Sequence, residues 1–171
     1  MIDSLLKFWA HLPMSALHRA AATLGPLWWT LDRRHRQTAL ANIRLALGLP
    51  EAEAERLARA NFAHLLEVFL QFPKVSRITS QNYHDYVECS GAHHLDASLR
   101  RGHGALLLTG HFGNWEWLAY CSPFLFGARL NVIARPLDWQ PLNTLVLKYR
   151  QGSGNRFWDR KHVSLKVLRA L

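Results

Sequence analysis

The hydrophobic positions of the first half of the chain recur at helical spacing. Between Pro50 and Pro73, apolar side chains form one stripe, and three glutamates occupy the first turns, where they favour the helix dipole. The preceding segment, Thr38–Leu47, is closed by Gly48, a residue suited to the left-handed end of a helix. These patterns predict two consecutive helices. The stripe comprises Ala54, Leu57, Ala58, Phe62, Leu65, Leu66 and Phe69, and we interpret it as core packing.

From Tyr83 onward, short apolar runs alternate with helical patterns. Such alternation indicates an α/β fold, although it does not determine the strand order. We predict an N-terminal helical region over residues 1–75 and a mixed sheet with flanking helices over residues 76–171, together forming one structural unit. The predicted strands are Tyr83–Cys89, Ala105–Thr109, Leu130–Ala134 and Asn155–Trp158, and the predicted helices are Ala92–Arg100, Trp115–Tyr120, Trp139–Tyr149 and Val163–Leu171.

Composition and charge limit the classes of protein to which this chain can belong. Hydrophobic residues make up 49% and charged residues 19% of the 171 residues, which excludes a disordered charged tail. The net charge is +9, with nine basic and two acidic residues after position 128. A basic surface suits anionic headgroups, phosphorylated substrates, an acidic carrier protein or nucleic acid. No recognition-helix or RNA-binding signature is present, so we expect no nucleic-acid partner. The two cysteines stand apart in the sequence, which favours reduced thiols.

Residues 2–31 are apolar and rich in tryptophan. Their longest uncharged run, Ala20 to Leu31, is too short and too interrupted to span a bilayer, and an acidic residue and breaks in the apolar core argue against a signal peptide. Trp28 and Trp29 lie beside the basic cluster that begins at Arg33. We therefore predict a segment in the membrane interface. The alternative is a pair of core helices with buried tryptophans.

The most informative stretch runs from Gly104 to Trp117 and contains Gly-His-Phe-Gly-Asn-Trp-Glu. An apolar run, a glycine-flanked turn and a helix start would place His111 at the carboxyl edge of a strand, where α/β folds usually bind ligands. On one continuous helix, His111 and Glu116 would be rotated by about 140° and would not share a face. They can meet only if His111 lies in the turn. A carboxylate on one imidazole nitrogen would then leave the other as a base.

This stretch closely resembles the signature of the bacterial lipid A late acyltransferases (the lauroyl/myristoyl acyltransferase family), distant relatives of the glycerolipid acyltransferases. The resemblance implies a glycerolipid-acyltransferase-like fold and transfer of a fatty acyl chain from acyl carrier protein to a hydroxyl of a lipid A precursor or related glycolipid. It implies that His111 is the general base, held by Glu116, and that amides near Gly113 and Asn114 stabilise the oxyanion. No cofactor is implied.

The resemblance extends to a second block. Val-Ile-Ala-Arg-Pro places Arg135 directly after a predicted strand, where the family presents an arginine that would hold a phosphate of donor or acceptor. Asn143 and Arg150 also match this block, less specifically, and Arg150 is a further predicted substrate ligand. The implied location is the cytoplasmic face of the bacterial inner membrane, held peripherally against an anionic surface.

Two alternatives remain at this stage. Family members are longer than this chain, so we expect a C-terminally truncated catalytic core, and a non-catalytic membrane-surface fragment or degenerate half-enzyme is the second interpretation. The abundant histidines, including the adjacent His93 and His94, raise the question of a metal site. They lack a His-Glu-x2-His spacing, and adjacent histidines point apart. We therefore predict no metal site.

Overall fold

The computed structural model describes residues 2–161 and 163–170. It divides the chain into two compact units, His11–Phe72 on the one hand and the residues up to Ala10 with those from Pro73 onward on the other. The helices are α1 (Ile2–Trp9), α2 (Met14–Leu31), α3 (Arg33–Leu47), α4 (Glu51–Gln71), α5 (Ala92–Leu99), α6 (Trp115–Phe126), α7 (Gln140–Arg150) and α8 (Ser164–Leu168), the strands are β1 (Asn131–Ala134) and β2 (Arg156–Asp159), and 3-10 turns span Phe72–Arg77, Tyr83–Asp85 and Gln151–Ser153.

The unit His11–Phe72 is a helical bundle in which α4 packs against α2 and α3. Trp29, Ala58 and Phe62 are buried at its centre, and the Trp29 and Phe62 rings meet edge to face with centroids 5.2 Å apart. Aromatic pairs in this geometry stabilise a core beyond the area that they bury. The central part of the predicted α4 stripe is therefore confirmed as core, whereas Leu57 and Phe69 at its margins stay partly exposed.

The helices of this bundle end close to the predicted residues, but α3 begins at Arg33 rather than at the predicted Thr38. The Asp32 carboxylate accepts a hydrogen bond from the His35 amide at the start of α3. Gly48 ends α3 in the left-handed conformation, with φ 62°, which glycine adopts without steric cost. Pro50 precedes α4, and Glu51 and Glu53 lie in its first turn.

The tryptophans of α2 belong to the core rather than to an exposed surface. Trp29 is 2% exposed, and the half-buried Trp28 contacts Phe62 and donates its indole N–H to Asp32 Oδ2 over 3.1 Å. Both tryptophans therefore follow the alternative left open by the sequence, that of buried core residues. Leucines instead form the exposed apolar surface of α2, namely Leu24, Leu27 and Leu31.

None of the helices that the structure describes combines the length and hydropathy that a membrane crossing needs.

The second unit contains a parallel pair of strands, β1 and β2, in which Val132 lies opposite Phe157. Asn155, just before β2, is only 3% exposed. Its side-chain oxygen accepts the Leu130 amide at 2.9 Å, and its amide nitrogen donates to the Ala119 carbonyl at 2.6 Å. One buried side chain therefore joins α6 to the beginnings of both strands.

The α/β class is compatible with this architecture, and β1 and β2 match two predicted strands within one residue. The described sheet is parallel and two-stranded, however, so the prediction of a mixed sheet is wrong for this part of the chain. The later helices begin and end within a few residues of the predicted bounds, except that α6 continues to Phe126 and α8 ends at Leu168. Leu171, the end of the predicted last helix, lies outside the described residues.

Two predicted strands are absent from the described structure. Tyr83–Cys89 begins with the 3-10 turn and continues irregularly, because Tyr83 accepts turn-type hydrogen bonds from Tyr86 and Val87. Ala105–Thr109 is irregular as well, and Leu108 is 100% exposed. A continuous apolar strand is stabilised by cover on both faces. Ala105, Leu106 and Leu107 line a groove with residues of α5 and with Phe126, but no described strand pairs with this run.

Candidate active site

The candidate site begins at the turn before α6. His111 has φ 55° and is the one non-glycine residue with positive φ in the described chain, while Gly113 has φ 59°. Asn114 then caps α6, because its side-chain oxygen accepts the Trp117 amide at 3.1 Å. A histidine tolerates the left-handed region better than most residues do, and the neighbouring glycine follows it without strain. The predicted turn and helix start are therefore present, but residues 105–109 form no strand, so the predicted position of His111 at the carboxyl edge of a strand is wrong for the described structure.

This turn presents the imidazole to solvent. His111 is exposed, and its ring packs against Trp115 with centroids 5.2 Å apart and planes inclined by 47°. On the other side, a β-carbon at Gly110 would lie 2.5 Å from the Phe112 ring, which is 90% exposed and has room to move away. The local sequence thus fixes an accessible imidazole beside the first turn of α6.

The carboxylate of Glu116 has a different partner from the one predicted. Glu116 is 11% exposed in its side chain, and both of its oxygens accept hydrogen bonds from Arg150 at the end of α7. Arg150 Nε lies 3.0 Å from Oε2, and Nη2 lies 2.5 Å from Oε1. The Arg150 guanidinium also lies over the Phe157 ring of β2, 5.7 Å from its centroid. The predicted contact between Glu116 and His111 is not among the hydrogen bonds of the described residues.

The second predicted arginine lies where the sequence places it, directly after β1. Arg135 Nη2 donates to Asp138 Oδ1 over 2.8 Å, and both side chains are well exposed. Asn143 supports the same loop, since its side-chain oxygen accepts the Leu137 amide at 2.9 Å. The structure therefore brings Glu116 and Arg150 together, whereas Arg135 is paired within its own loop.

Behind the turn, α6 contributes a buried layer. Burial raises the pKa of the Cys121 thiol to about 11 and, with the neighbouring Cys121 as a smaller cause, raises the pKa of Tyr120. A thiol of this kind is a poor nucleophile near neutral pH. Asn155, which fastens this helix to the strands, is a positioning residue that the sequence analysis did not single out. Its only sequence signal is a polar residue after Gly154 at the start of a strand.

The described histidines do not assemble a metal centre. His93 and His94 do not point apart as expected from the sequence, because their ring centroids lie 4.0 Å from each other. Over residues 2–161 and 163–170, no three His, Cys, Asp or Glu side chains come together in a way that could hold an ion.

A family model described as bacterial lipid A biosynthesis acyltransferase matches residues 3–171. The chain belongs to this family. The match extends over both units and includes the His111 turn, the Arg135 loop and the Glu116–Arg150 pair. No curated protein and no solved structure gave a match.

Proposed function

We propose that this lipid A acyltransferase moves a fatty acyl chain from acyl carrier protein to a hydroxyl of a lipid A precursor or a related glycolipid. The observation that supports the proposal best is the presentation of His111 to solvent by a glycine-flanked turn, immediately before the capped N-terminus of α6. That turn combines an accessible base with helix-start amides in a chain whose family transfers acyl groups.

In the proposed reaction, an imidazole nitrogen of His111 takes the proton of the acceptor hydroxyl. The oxygen attacks the thioester carbonyl, and a tetrahedral intermediate forms. Its collapse breaks the carbon–sulfur bond, the thiolate of the carrier takes up the proton, and the new ester is released. Backbone amides near Gly113 and Asn114 are the proposed donors to the oxyanion, where donors of this kind are worth about 3–4 kcal/mol each.

Other exposed groups of the chain suit these substrates. Arg135 is exposed and its partner Asp138 is a surface carboxylate, so a phosphate of donor or acceptor can compete for the guanidinium. The exposed side chains of Leu106, Leu107 and Phe112 flank the turn and suit a fatty acyl chain. We further propose that the basic chain works peripherally on the anionic cytoplasmic face of the inner membrane. No cofactor takes part in these steps.

The test is acyl transfer from acyl carrier protein to a lipid A precursor, measured for the native chain, His111→Ala and His111→Asn. A positioned general base contributes roughly 10²–10⁴-fold, and we expect both variants to lose turnover by about that factor. The asparagine variant controls for the backbone, because asparagine also tolerates positive φ. His103→Ala removes an exposed histidine outside the turn and should leave turnover unchanged.

Turnover in both His111 variants within a few-fold of the native rate would remove His111 from the mechanism. A native chain that folds and binds the lipid without transferring the acyl group would instead favour the second interpretation, a non-catalytic membrane-surface protein.

A further inference from the structure

The pairing of Arg150 with Glu116 changes the role that the sequence suggests for this arginine. The guanidinium uses Nε and Nη2 on the two carboxylate oxygens, the planar two-bond arrangement that arginine forms with carboxylates. The two side chains are 25% and 11% exposed, compared with 62% and 88% for Arg135 and Asp138. Arg150 is therefore committed to an internal carboxylate, whereas Arg135 is accessible.

The position of the pair connects it with the site. Glu116 lies in the first turn of α6, next to Trp115, whose ring contacts His111. Arg150 ends α7 and stacks on Phe157 of β2, so a single side chain joins the start of α6 to the end of α7 and to the sheet. A displacement of Arg150 would release the helix turn that carries the catalytic loop.

The pair with Arg150 also leaves hydrogen-bond acceptor positions on the Glu116 carboxylate. An ionised carboxylate has about four acceptor positions, and the arginine occupies two of them. Glu116 therefore keeps acceptor positions for a further donor while Arg150 holds it in place. A phosphate, by contrast, would have to displace a partly buried carboxylate to reach the same guanidinium, and breaking such a pair is costly.

We infer that Arg150 is a positioning residue that fixes the carboxylate of Glu116 beside the His111 turn, and that it is not an anion ligand for the substrate. This inference rests on the proposed function. It predicts that Arg150 and Glu116 act as one unit, so that removing either side chain removes the same contribution.

The first measurement is a double-mutant cycle on the unfolding equilibrium, with Glu116→Gln, Arg150→Gln and the double variant. We expect a coupling of at least about fivefold in the equilibrium constant, as for partly buried partners in contact. Glu55→Gln and Arg59→Gln provide the matched control, because that pair is exposed on α4 and should couple by about twofold. A coupling no larger than that of the control would overturn the inference. Arg150→Lys is the substitute if Arg150→Gln fails to fold, because it keeps the charge but loses the two-bond geometry. The double-mutant cycle is then measured with Arg150→Lys and Glu116→Gln.

The second measurement is binding to phosphatidylethanolamine vesicles that contain a phosphorylated glucosamine disaccharide lipid. We expect Arg150→Gln to bind within about twofold of the native chain, and a loss of tenfold or more would identify Arg150 as an anion ligand. In turnover, each single variant should lower kcat at unchanged KM, and the double variant should be no slower than the slower single variant. Additive losses, or a raised KM at native kcat, would contradict the inference. Inactivity of the native chain would contradict the proposed function, whereas an uncoupled pair in an active native chain would contradict only the role of Arg150.

Discussion

The ion-paired arginines of this chain differ in how exposed they are to solvent. Arg135 and Asp138 form an ion pair between two well-exposed groups, and such pairs contribute about 0–1 kcal/mol to the free energy of unfolding. The pair is thus weak enough for a substrate phosphate to replace Asp138. Accessibility, rather than charge, distinguishes the proposed substrate arginine from the positioning arginine.

For Arg135→Gln we expect the KM for the phosphorylated acceptor to rise about tenfold with little change in kcat, since a charge-assisted hydrogen bond is lost. Steady-state kinetics at varied acceptor concentration measure this. Asp138→Asn is the matched control, because it frees the arginine and should leave KM equal or lower. Native saturation behaviour in Arg135→Gln would make this arginine structural.

The packing of two helices depends on one glycine. At Gly25 of α2, a β-carbon would lie 2.8 Å from the α-carbon and 2.9 Å from the β-carbon of Ala63 in α4. The first of these atoms is backbone, so the helices would have to move apart. The close packing of α2 against α4 therefore favours glycine at position 25. Glycine is otherwise unfavourable within a helix by about 1 kcal/mol relative to alanine.

We expect Gly25→Ala to destabilise the bundle by about 1–2 kcal/mol, since overpacking costs about 1–3 kcal/mol and the gain in helix propensity offsets part of it. Urea unfolding followed by tryptophan fluorescence measures the change. Adding Ala63→Gly should restore only part of the loss, because it removes the methyl group of residue 63 while the backbone of α4 stays equally close. A Gly25→Ala chain as stable as the native one would show that the close approach is unimportant.

The elements that local chemistry determines were predictable from the sequence. Gly48 and the residues after Pro50 delimit helices through backbone conformation and charge, and α6 begins where a turn and a capping asparagine require it. Long-range partners were not predictable. The apolar run Ala105–Thr109 suggested a strand because its composition is apolar, but a strand also needs a neighbour to bond.

The same limit applies to the site. The sequence indicated the importance of His111 and Glu116 through the family signature, and it placed Arg135 after a strand. It offered no means of foreseeing that Arg150, 34 residues after Glu116, reaches that carboxylate. Asn155 was missed for the same reason, because both of its hydrogen-bond partners are at least 25 residues away.

At the scale of the whole molecule, buried titratable side chains make the free energy of unfolding depend on pH in the alkaline range. Burial is the main cause of the raised pKa values of Tyr120, Cys121 and Tyr149. The unfolded chain therefore loses these protons at lower pH than the folded chain does, and stability falls as the pH rises through this range. Burial lowers the pKa of Lys74, which acts in the opposite direction.

Cys121→Ala isolates one of these contributions. The thiol pKa rises from 9.0 to about 11, so Cys121 contributes stability that is complete below pH 9 and is lost, up to about 3 kcal/mol, as the pH approaches 11. We expect the variant to lose less stability than the native chain between pH 9 and 11 in urea unfolding. Cys89→Ala is the matched control, because that thiol is exposed. The prediction would be contradicted if the native chain and Cys121→Ala lost the same free energy of unfolding between pH 9 and 11.

The exposed leucines before the His111 turn have a practical consequence for the handling of this protein. Leu106, Leu107 and Leu108 are three consecutive apolar residues in water, in a segment without proline or charge from Gly104 to Gly110. Segments of this kind pair with copies of themselves as intermolecular strands. We therefore expect concentrated detergent-free solutions to aggregate through this segment, which would bury the adjacent His111 turn within the aggregate.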